Sequence, residues 1–410
     1  MQYRSFGRLD WRPSALGFGA MRLPTLDGDY GKIDEDLATR MVRAAIDHGV
    51  NYVDTAWPYH SEQSEQFLGR CLRDGYRERT RLATKMPSWL VETPDDFDRF
   101  LDEQRRRLET ETIDFYLLHA LDKERWPKLR DLGVREWAER ARRDGRIGQF
   151  GFSFHDDIET FRGIVDAHDW GLCQIQYNFM DVGFQAGREG LRYAAACGLA
   201  VIVMEPLRGG SLARPAPHQV TKLWDSAPTK RSQAEWALQW VWNDPAVSLA
   251  LSGMSTMEQV EENLASAGRS AVGLLGEDEV RLVDRVRDAY RTVAPIPCTN
   301  CRYCQPCPQG VDIPHVFALY NDGTAYGDLP RSRVDYARFM KPEHRADRCV
   351  ACGACESACP QGIEIIAWLQ KVHGSGPVGG TERRRRLWPR QTARVRSSPR
   401  LARRGCASVS

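Results

Sequence analysis

Short apolar runs alternate along the chain with longer stretches in which apolar residues recur three and four positions apart. Runs of the first kind occupy 15–18, 52–54, 82–84, 115–118, 147–152, 172–177, 200–204 and 247–251 and read as buried strands. Stretches of the second kind, such as 37–48, 97–108, 134–143 and 233–242, read as amphipathic helices. Eight strands separated by helices predict an α/β fold, a (β/α)8 TIM barrel, whose functional side chains gather at the C-terminal strand ends. A six-stranded doubly wound sheet is the alternative layout, but no G-x-G-x-x-G follows the first strand. Residues 2–9, with Tyr3, Phe6 and Leu9 alternating ahead of Arg12-Pro13-Ser14, predict a hairpin that closes one end. The charged stretch 277–291 predicts a helix covering the barrel wall, and the linker Ala294-Pro295-Ile296-Pro297 ends the repeating pattern.

The second strand stops where chemistry can begin. Asn51-Tyr52-Val53-Asp54 is followed by Thr55-Ala56-Trp57-Pro58-Tyr59-His60, and proline cannot serve an inner ladder. Lys85 and His119 close two later runs, Leu82-Ala83-Thr84-Lys85 and Phe115-Tyr116-Leu117-Leu118-His119. Taken singly, Tyr59 reads as a rim aromatic, Lys85 as a solvated strand end, Asp54 as a helix cap and His119 as a satisfied interior histidine. Four together at strand ends outweigh those readings. A carbonyl reduced by hydride becomes an alkoxide that needs a proton, and a tyrosine can give it if a nearby ammonium lowers its pKa from about 10. Asp, Tyr, Lys and His in this order resemble the aldo/keto reductase family, and the resemblance runs from Met1 to about Ala294. It implies Tyr59 as the acid, Lys85 and Asp54 as its tuning pair, and His119 as the group that orients the carbonyl oxygen. It also implies NAD(P)H as cofactor and a small carbonyl compound or alcohol as substrate. Trp57 and Trp89 follow strands on the same face and read either as walls of an apolar substrate pocket or as loop anchors.

The same resemblance assigns the nicotinamide carboxamide to Ser153 and Gln174, and the ring to Met204, where relatives often carry tyrosine. Leu207, Arg208 and Gly209 form the turn that follows. Gly253 and Ser255, then Glu262 and Asn263 on the next helix, fall where pyrophosphate and adenine lie, a helix N-terminus being suited to phosphate. Family members that prefer NADP carry Lys or Arg near this turn. Here it offers Gly253, Ser255 and Gln259, with Arg208 and Arg269 read as the only nearby cations, so NAD versus NADP stays open with a lean to NAD.

Beyond the linker the composition changes. Cys298, Cys301, Cys304 and Cys307, and then Cys349, Cys352, Cys355 and Cys359, are eight of the twelve cysteines, each run ending in Cys-Pro. The second run has the spacing C-x2-C-x2-C-x3-C-P of bacterial ferredoxins, and the first is one residue shorter before its last cysteine. This resembles a two-cluster α+β ferredoxin-like domain. It implies one [4Fe-4S] cluster on Cys298, Cys301, Cys304 and Cys359 and another on Cys349, Cys352, Cys355 and Cys307, with an external electron-transfer partner as a further implication. A zinc ribbon is the alternative; disulfides are disfavoured in a reducing cytoplasm. Cys71, Cys173 and Cys197 read as buried small hydrophobes, and Cys406 lies in the tail without a visible partner.

The domains read as 1–295 for the barrel, 296–372 for the iron–sulfur module and 373–410 for a disordered tail. Net charge is +2, but from Thr381 onward ten arginines face the single acid Glu382, leaving the remainder near −7. A nucleic-acid role for the body is therefore disfavoured. No window reaches the roughly 18 apolar residues of a membrane span, and the N-terminus lacks a signal-peptide centre; the expected location is the cytoplasm. The reading is a nicotinamide-dependent oxidoreductase. The alternative is an electron-transfer or regulatory protein whose barrel binds nicotinamide without turnover. Hydride carries two electrons, clusters move them singly, and no flavin motif is seen to split the pair, so the clusters read either as structural or as serving an external partner.

Overall fold

Eight parallel strands close on one another in sequence order: β1 (Leu16–Gly19), β2 (Tyr52–Asp54), β3 (Arg81–Met86), β4 (Ile113–Leu121), β5 (Ile147–Phe154), β6 (Leu172–Gln176), β7 (Ala200–Met204) and β8 (Leu249–Gly253). β8 returns to β1 with Leu16 opposite Ala250 and Gly19 opposite Gly253, which completes the barrel. This computed structural model describes residues 1–325 and 329–374, so the arginine-rich tail expected beyond Thr381, with Cys406, lies outside the described residues.

The strands are buried on both faces, as a barrel wrapped by helices requires. Phe150, Phe152 and Ile175 belong to the layer shared with the helices. Inside the barrel Tyr52, Phe115, Leu117, Leu172, Ile202 and Leu249 form a separate cluster that also includes Phe6. The hairpin expected over 2–9 is realised as two isolated antiparallel bridges, Tyr3 with Ser14 and Phe6 with Leu9. The turn drives Phe6 into the barrel floor, 5.2 Å from the ring of Phe115, where truncation to alanine would cost about 3–5 kcal/mol. Gly7 makes this approach possible: at φ +55° a Cβ there would come within 2.4 Å of the Ala200 nitrogen.

The floor is therefore sealed, and the strand C-termini open at the other end. Helices start where side chains satisfy free backbone N–H groups: Asp34 accepts from Leu37 ahead of Glu35–Asp47, and Ser232 accepts from Glu235 ahead of Gln233–Trp242. The expected wall helix spans Glu277–Val293.

Residues after the linker build a second core around Ile296, Val311, Val316, Phe317, Met340, Ile365 and Leu369. Ile296 is tied to it by two hydrogen bonds with the Asn321 side chain, 3.0 and 2.7 Å long. Where an α+β layout was expected, the described residues of this module form helices and turns with no strand among them, the longest helix being Ile313–Ala325. Its last helix, Ile365–Gly374, runs two residues past the expected boundary at 372. Of the cysteines read as buried hydrophobes, Cys71 and Cys173 are buried, but Cys197 is exposed, because it follows the helix Gly187–Ala196 at its solvent-facing end. No helix among the described residues is long and apolar enough to cross a membrane.

Candidate active site at the barrel mouth

Asp54 ends β2, Lys85 lies in β3, His119 lies in β4, and Tyr59 sits on the loop after β2, so short strands bring all four to one end. Lys85 Nζ donates to Asp54 Oδ1 at 2.6 Å and to the Thr55 carbonyl at 2.8 Å, and lies 3.4 Å from the Tyr59 hydroxyl. Gln174 Nε2 donates to the other oxygen of Asp54 at 3.1 Å. All of these side chains are buried.

Burial pushes the Asp54 carboxyl up and the Lys85 ammonium down, and their pairing opposes both shifts. Removal from water outweighs the lowering of the Tyr59 pKa expected from Lys85. Removal from water raises the phenol well above its ordinary value, and Tyr303 and Asp54 add to the rise. Tyr59 is therefore a held proton rather than a pre-ionised group. Burial, then the charge of Lys85, drives His119 well below the usual histidine range, so it is neutral. Its Nδ1 is buried with no hydrogen-bond partner.

Two cavities meet at Tyr59. The inner one, about 110 Å³, is lined by Asp54, Tyr59, Gln174, Met204, Leu207 and Gly209 among others, with Gly253 at its rim. The outer one, about 1040 Å³, is lined by Tyr59 together with Trp89, Arg22, Arg125, His155 and Ser255 among others. Ser153 lies beneath this surface, where its hydroxyl accepts from the Ala120 N–H at 2.7 Å. Arg208 turns aside to Asp181 at 3.3 Å. Asn263 is buried and donates to Ser252 at 3.1 Å, bracing the end of β8, while Glu262 is exposed on the helix Met257–Gly268. Trp89 stands beside His119 with ring centroids 5.2 Å apart. Trp57, read as a possible pocket wall, instead points into the helical layer, against Phe100 and under the Arg107 guanidinium at 3.7 Å.

Sequence reasoning missed Arg22, and Arg208 and Arg269 are not the only cations near the turn that begins at Gly253. The Arg22 side chain lies across Gly253, pairs with Glu205 at 3.6 Å, and reaches the Thr299 carbonyl at 3.4 Å. Arg269 is held away by Glu235. His155, at the end of β5, was also missed; it lines both cavities and contacts Gln185 at 3.2 Å.

The iron–sulfur module covers this mouth. Thr299, Cys301, Tyr303 and Gln361 line the inner cavity together with barrel residues. The ring end of a nicotinamide fits the chemistry of Gln174, Met204 and Tyr59, but a cavity of about 110 Å³ is far smaller than a dinucleotide site. The outward path between Gly209 and Gly253 is filled by Thr299 and Arg22.

The two cysteine runs lie close to each other. Burial raises the thiols of Cys298 and Cys304, and Cys359 raises both further; burial likewise raises those of Cys349 and Cys355, and Cys307 raises both further. Each terminal cysteine thus lies near the other run, and Cys304 is also near Cys355. Among the described residues no three His, Cys, Asp or Glu side chains gather as tightly as a single metal ion requires. A cubane set between four thiolates holds them farther apart than one zinc ion would.

The profile of the aldo/keto reductase family matches residues 15–288, and that of a 4Fe-4S dicluster domain matches residues 297–364. The uncharacterized oxidoreductase YrpG of Bacillus subtilis is 26% identical over 305 residues, covering 64% of this chain and 90% of that protein. The holo form of the aldo-keto reductase AKR11C1 from Bacillus halodurans superposes with a TM-score of 0.59 at 27% identity, covering 70% of this chain and 96% of that one. An aldo/keto reductase from Klebsiella pneumoniae, in complex with NADP and acetate, shares the fold with a TM-score of 0.57 at 24% identity, over 70% of this chain and 95% of that one. The protein belongs to the aldo/keto reductase family and carries a 4Fe-4S dicluster domain after its barrel.

Proposed function

We propose that the protein interconverts an aldehyde or ketone and an alcohol with NADH or NADPH, using residues 1–295 as a catalytic barrel and residues 296–372 as a module holding two [4Fe-4S] clusters. One observation carries this reading: Lys85 Nζ bridges a buried carboxylate at 2.6 Å and a buried phenol at 3.4 Å, at the mouth of a closed barrel. When bound, the nicotinamide supplies or accepts a hydride. Gln174, Met204, Leu207 and Gly209 are the residues that would hold its ring, and Gly253 and Ser255 those that would meet its phosphates.

The chain's own part in reduction is the proton. Tyr59 gives its hydroxyl proton to the substrate oxygen as negative charge develops there, and general acid catalysis of this kind contributes roughly a hundredfold or more. The phenolate left behind lies beside the Lys85 ammonium in a site where water is excluded and charge interacts strongly. Asp54 keeps Lys85 charged. Neutral His119 steers the oxygen toward Tyr59 through its ring N–H. In oxidation the same groups act in reverse, Tyr59 taking the alcohol proton. The eight cysteines would hold the clusters, which would serve either as structural centres or as single-electron carriers to an external partner.

A second reading is supported by the covered mouth: an electron-transfer or regulatory iron–sulfur protein whose barrel binds nicotinamide without turnover. A panel of aldehydes, ketones and alcohols, assayed with both nicotinamides on anaerobically purified protein, separates the two. Turnover that disappears in Tyr59→Phe supports the enzyme. Nicotinamide binding with no turnover across the panel leaves the second reading.

A further inference from the structure

Tyr303 stands between two cluster-binding cysteines, Cys301 and Cys304, yet its side chain belongs to the barrel mouth. Its hydroxyl lies 3.5 Å from His119 Nε2, and its ring meets that of His155 edge-on with centroids 6.1 Å apart. Tyr303 lines both cavities, as Tyr59 does. Because His119 Nδ1 is buried and unpartnered, Nε2 is the atom through which this histidine can meet a ligand, and Tyr303 is already there.

The rest of the loop fits the mouth equally closely. The Thr299 carbonyl rests on Gly209, where a Cβ would come within 1.8 Å of it, so only glycine allows the contact. Gln176 and Gln361 exchange two buried amide hydrogen bonds of 3.2 and 2.8 Å, and Gln185 donates to the Pro360 carbonyl. Each such bond contributes about 1 kcal/mol net, so this latch can open at modest cost.

We propose that residues 299–303 form a displaceable roof, and that Tyr303 is a positioning residue whose hydroxyl occupies the place on His119 that a substrate oxygen takes. This rests on the carbonyl chemistry proposed above. A carbonyl compound reaching His119 displaces the Tyr303 hydroxyl, and a dinucleotide crossing from Met204 toward Ser255 displaces Thr299 from Gly209. The iron–sulfur module thereby sets access to the barrel without taking part in proton transfer. Apparent affinities are reduced by the fraction of molecules in which the roof is down.

The test uses full-length, cluster-loaded protein. Tyr303→Phe should lower KM for 4-nitrobenzaldehyde about fivefold with kcat within about twofold, and should tighten binding of benzoate, a nonreacting carboxylate, by a similar factor in calorimetric titration. Gln361→Ala should keep its iron, exchange amide deuterium faster over residues 298–304, and bind NADPH at least about threefold more tightly. Gln185→Ala serves as the second latch variant if Gln361→Ala loses iron. A fall in kcat at unchanged KM in Tyr303→Phe would assign the hydroxyl to the chemistry and overturn the proposal. Equal NADPH affinity despite faster exchange in the latch variant would do the same. If no form reduces the aldehyde while Tyr303→Phe still binds benzoate more tightly, the carbonyl reading fails and the roof stands.

Discussion

Lys85 reaches from β3 to Asp54 on β2, its Nζ 2.6 Å from the carboxylate, with both side chains removed from water. The pair is held less by its mutual attraction than by the cost of separating it. Lys85→Met should leave Asp54 with only the Gln174 amide and destabilise the barrel by about 3–5 kcal/mol, or force Asp54 to protonate. Adding Asp54→Asn should recover most of that loss. Urea unfolding of the single and double variants measures both steps, and a double variant no more stable than Lys85→Met alone would contradict the account.

Tyr59→Phe separates proton transfer from packing. The ring stays edge-on to His119, with centroids 6.1 Å apart in the wild type, and only the hydroxyl is lost. Turnover should fall by roughly a hundredfold or more while nicotinamide binding is unchanged. Steady-state kinetics alongside a fluorescence titration read the two quantities separately; wild-type turnover would remove Tyr59 from the mechanism.

Arg22 lies at the inner mouth, over Gly253 and beside Glu205, and so near the path proposed above for the two phosphates that NADH and NADPH share. Arg22→Met should weaken both nucleotides alike, by about tenfold, the usual scale for one charge-assisted hydrogen bond. Titrations with each nucleotide check this. A loss confined to NADPH would make Arg22 the partner of the 2′-phosphate.

Much of the barrel was legible because its strands are short apolar runs and its helices have clean apolar spacing: the strand 52–54 and the helices Val134–Arg143 and Gln233–Trp242 have the boundaries read from the sequence. At the edge of the last strand a local bond explains the shift. Val247 was expected in the last strand, but its N–H donates to Asp244 in a turn, and β8 starts at Leu249. The four candidate catalytic residues could be found because each sits at or just past a strand end. The contacts between the modules could not. Tyr303 with His119 and Gln361 with Gln176 join residues more than 180 positions apart, and neither pair leaves a periodic trace. The two readings of Trp57 could not be separated, because a tryptophan on a loop after a strand carries no sign of the arginine, Arg107, that draws it outward.

Glu65 should make stability depend on pH. Its carboxyl is buried behind β3, accepts from Thr84 at 2.6 Å and from Gln104, and lies 3.4 Å from Arg107; burial nevertheless pushes it up to about 7 from 4.5. Between those values the folded chain binds more protons than the unfolded one, so wild-type stability falls as pH rises from about 4.5 to 7 and is level above. Glu65→Gln removes the titration. Its stability relative to wild type should therefore climb across that window by up to about 3 kcal/mol and then stay constant. Urea unfolding at a series of pH values tests the sign, and a difference that shrinks as pH rises would refute it.

The interleaving of the cysteine runs can be decided by counting iron. If both runs are filled, anaerobically purified protein should contain about eight irons and eight labile sulfides per chain, and single cysteine variants would each cost one cluster whichever way the ligands are shared. Pairs of variants are informative. On the crossed assignment Cys359 shares a cluster with Cys298 and Cys304, whereas Cys307 shares one with Cys349 and Cys355. Cys298→Ala with Cys359→Ala should therefore damage one cluster twice and leave about four irons. Cys307→Ala with Cys359→Ala should damage both clusters and leave almost none. Almost no iron in both double variants would mean that each run keeps its own cluster, and the shortened spacing before Cys307 would then have to be accommodated within a single cubane. Zinc without labile sulfide in the wild type would exclude clusters from both runs.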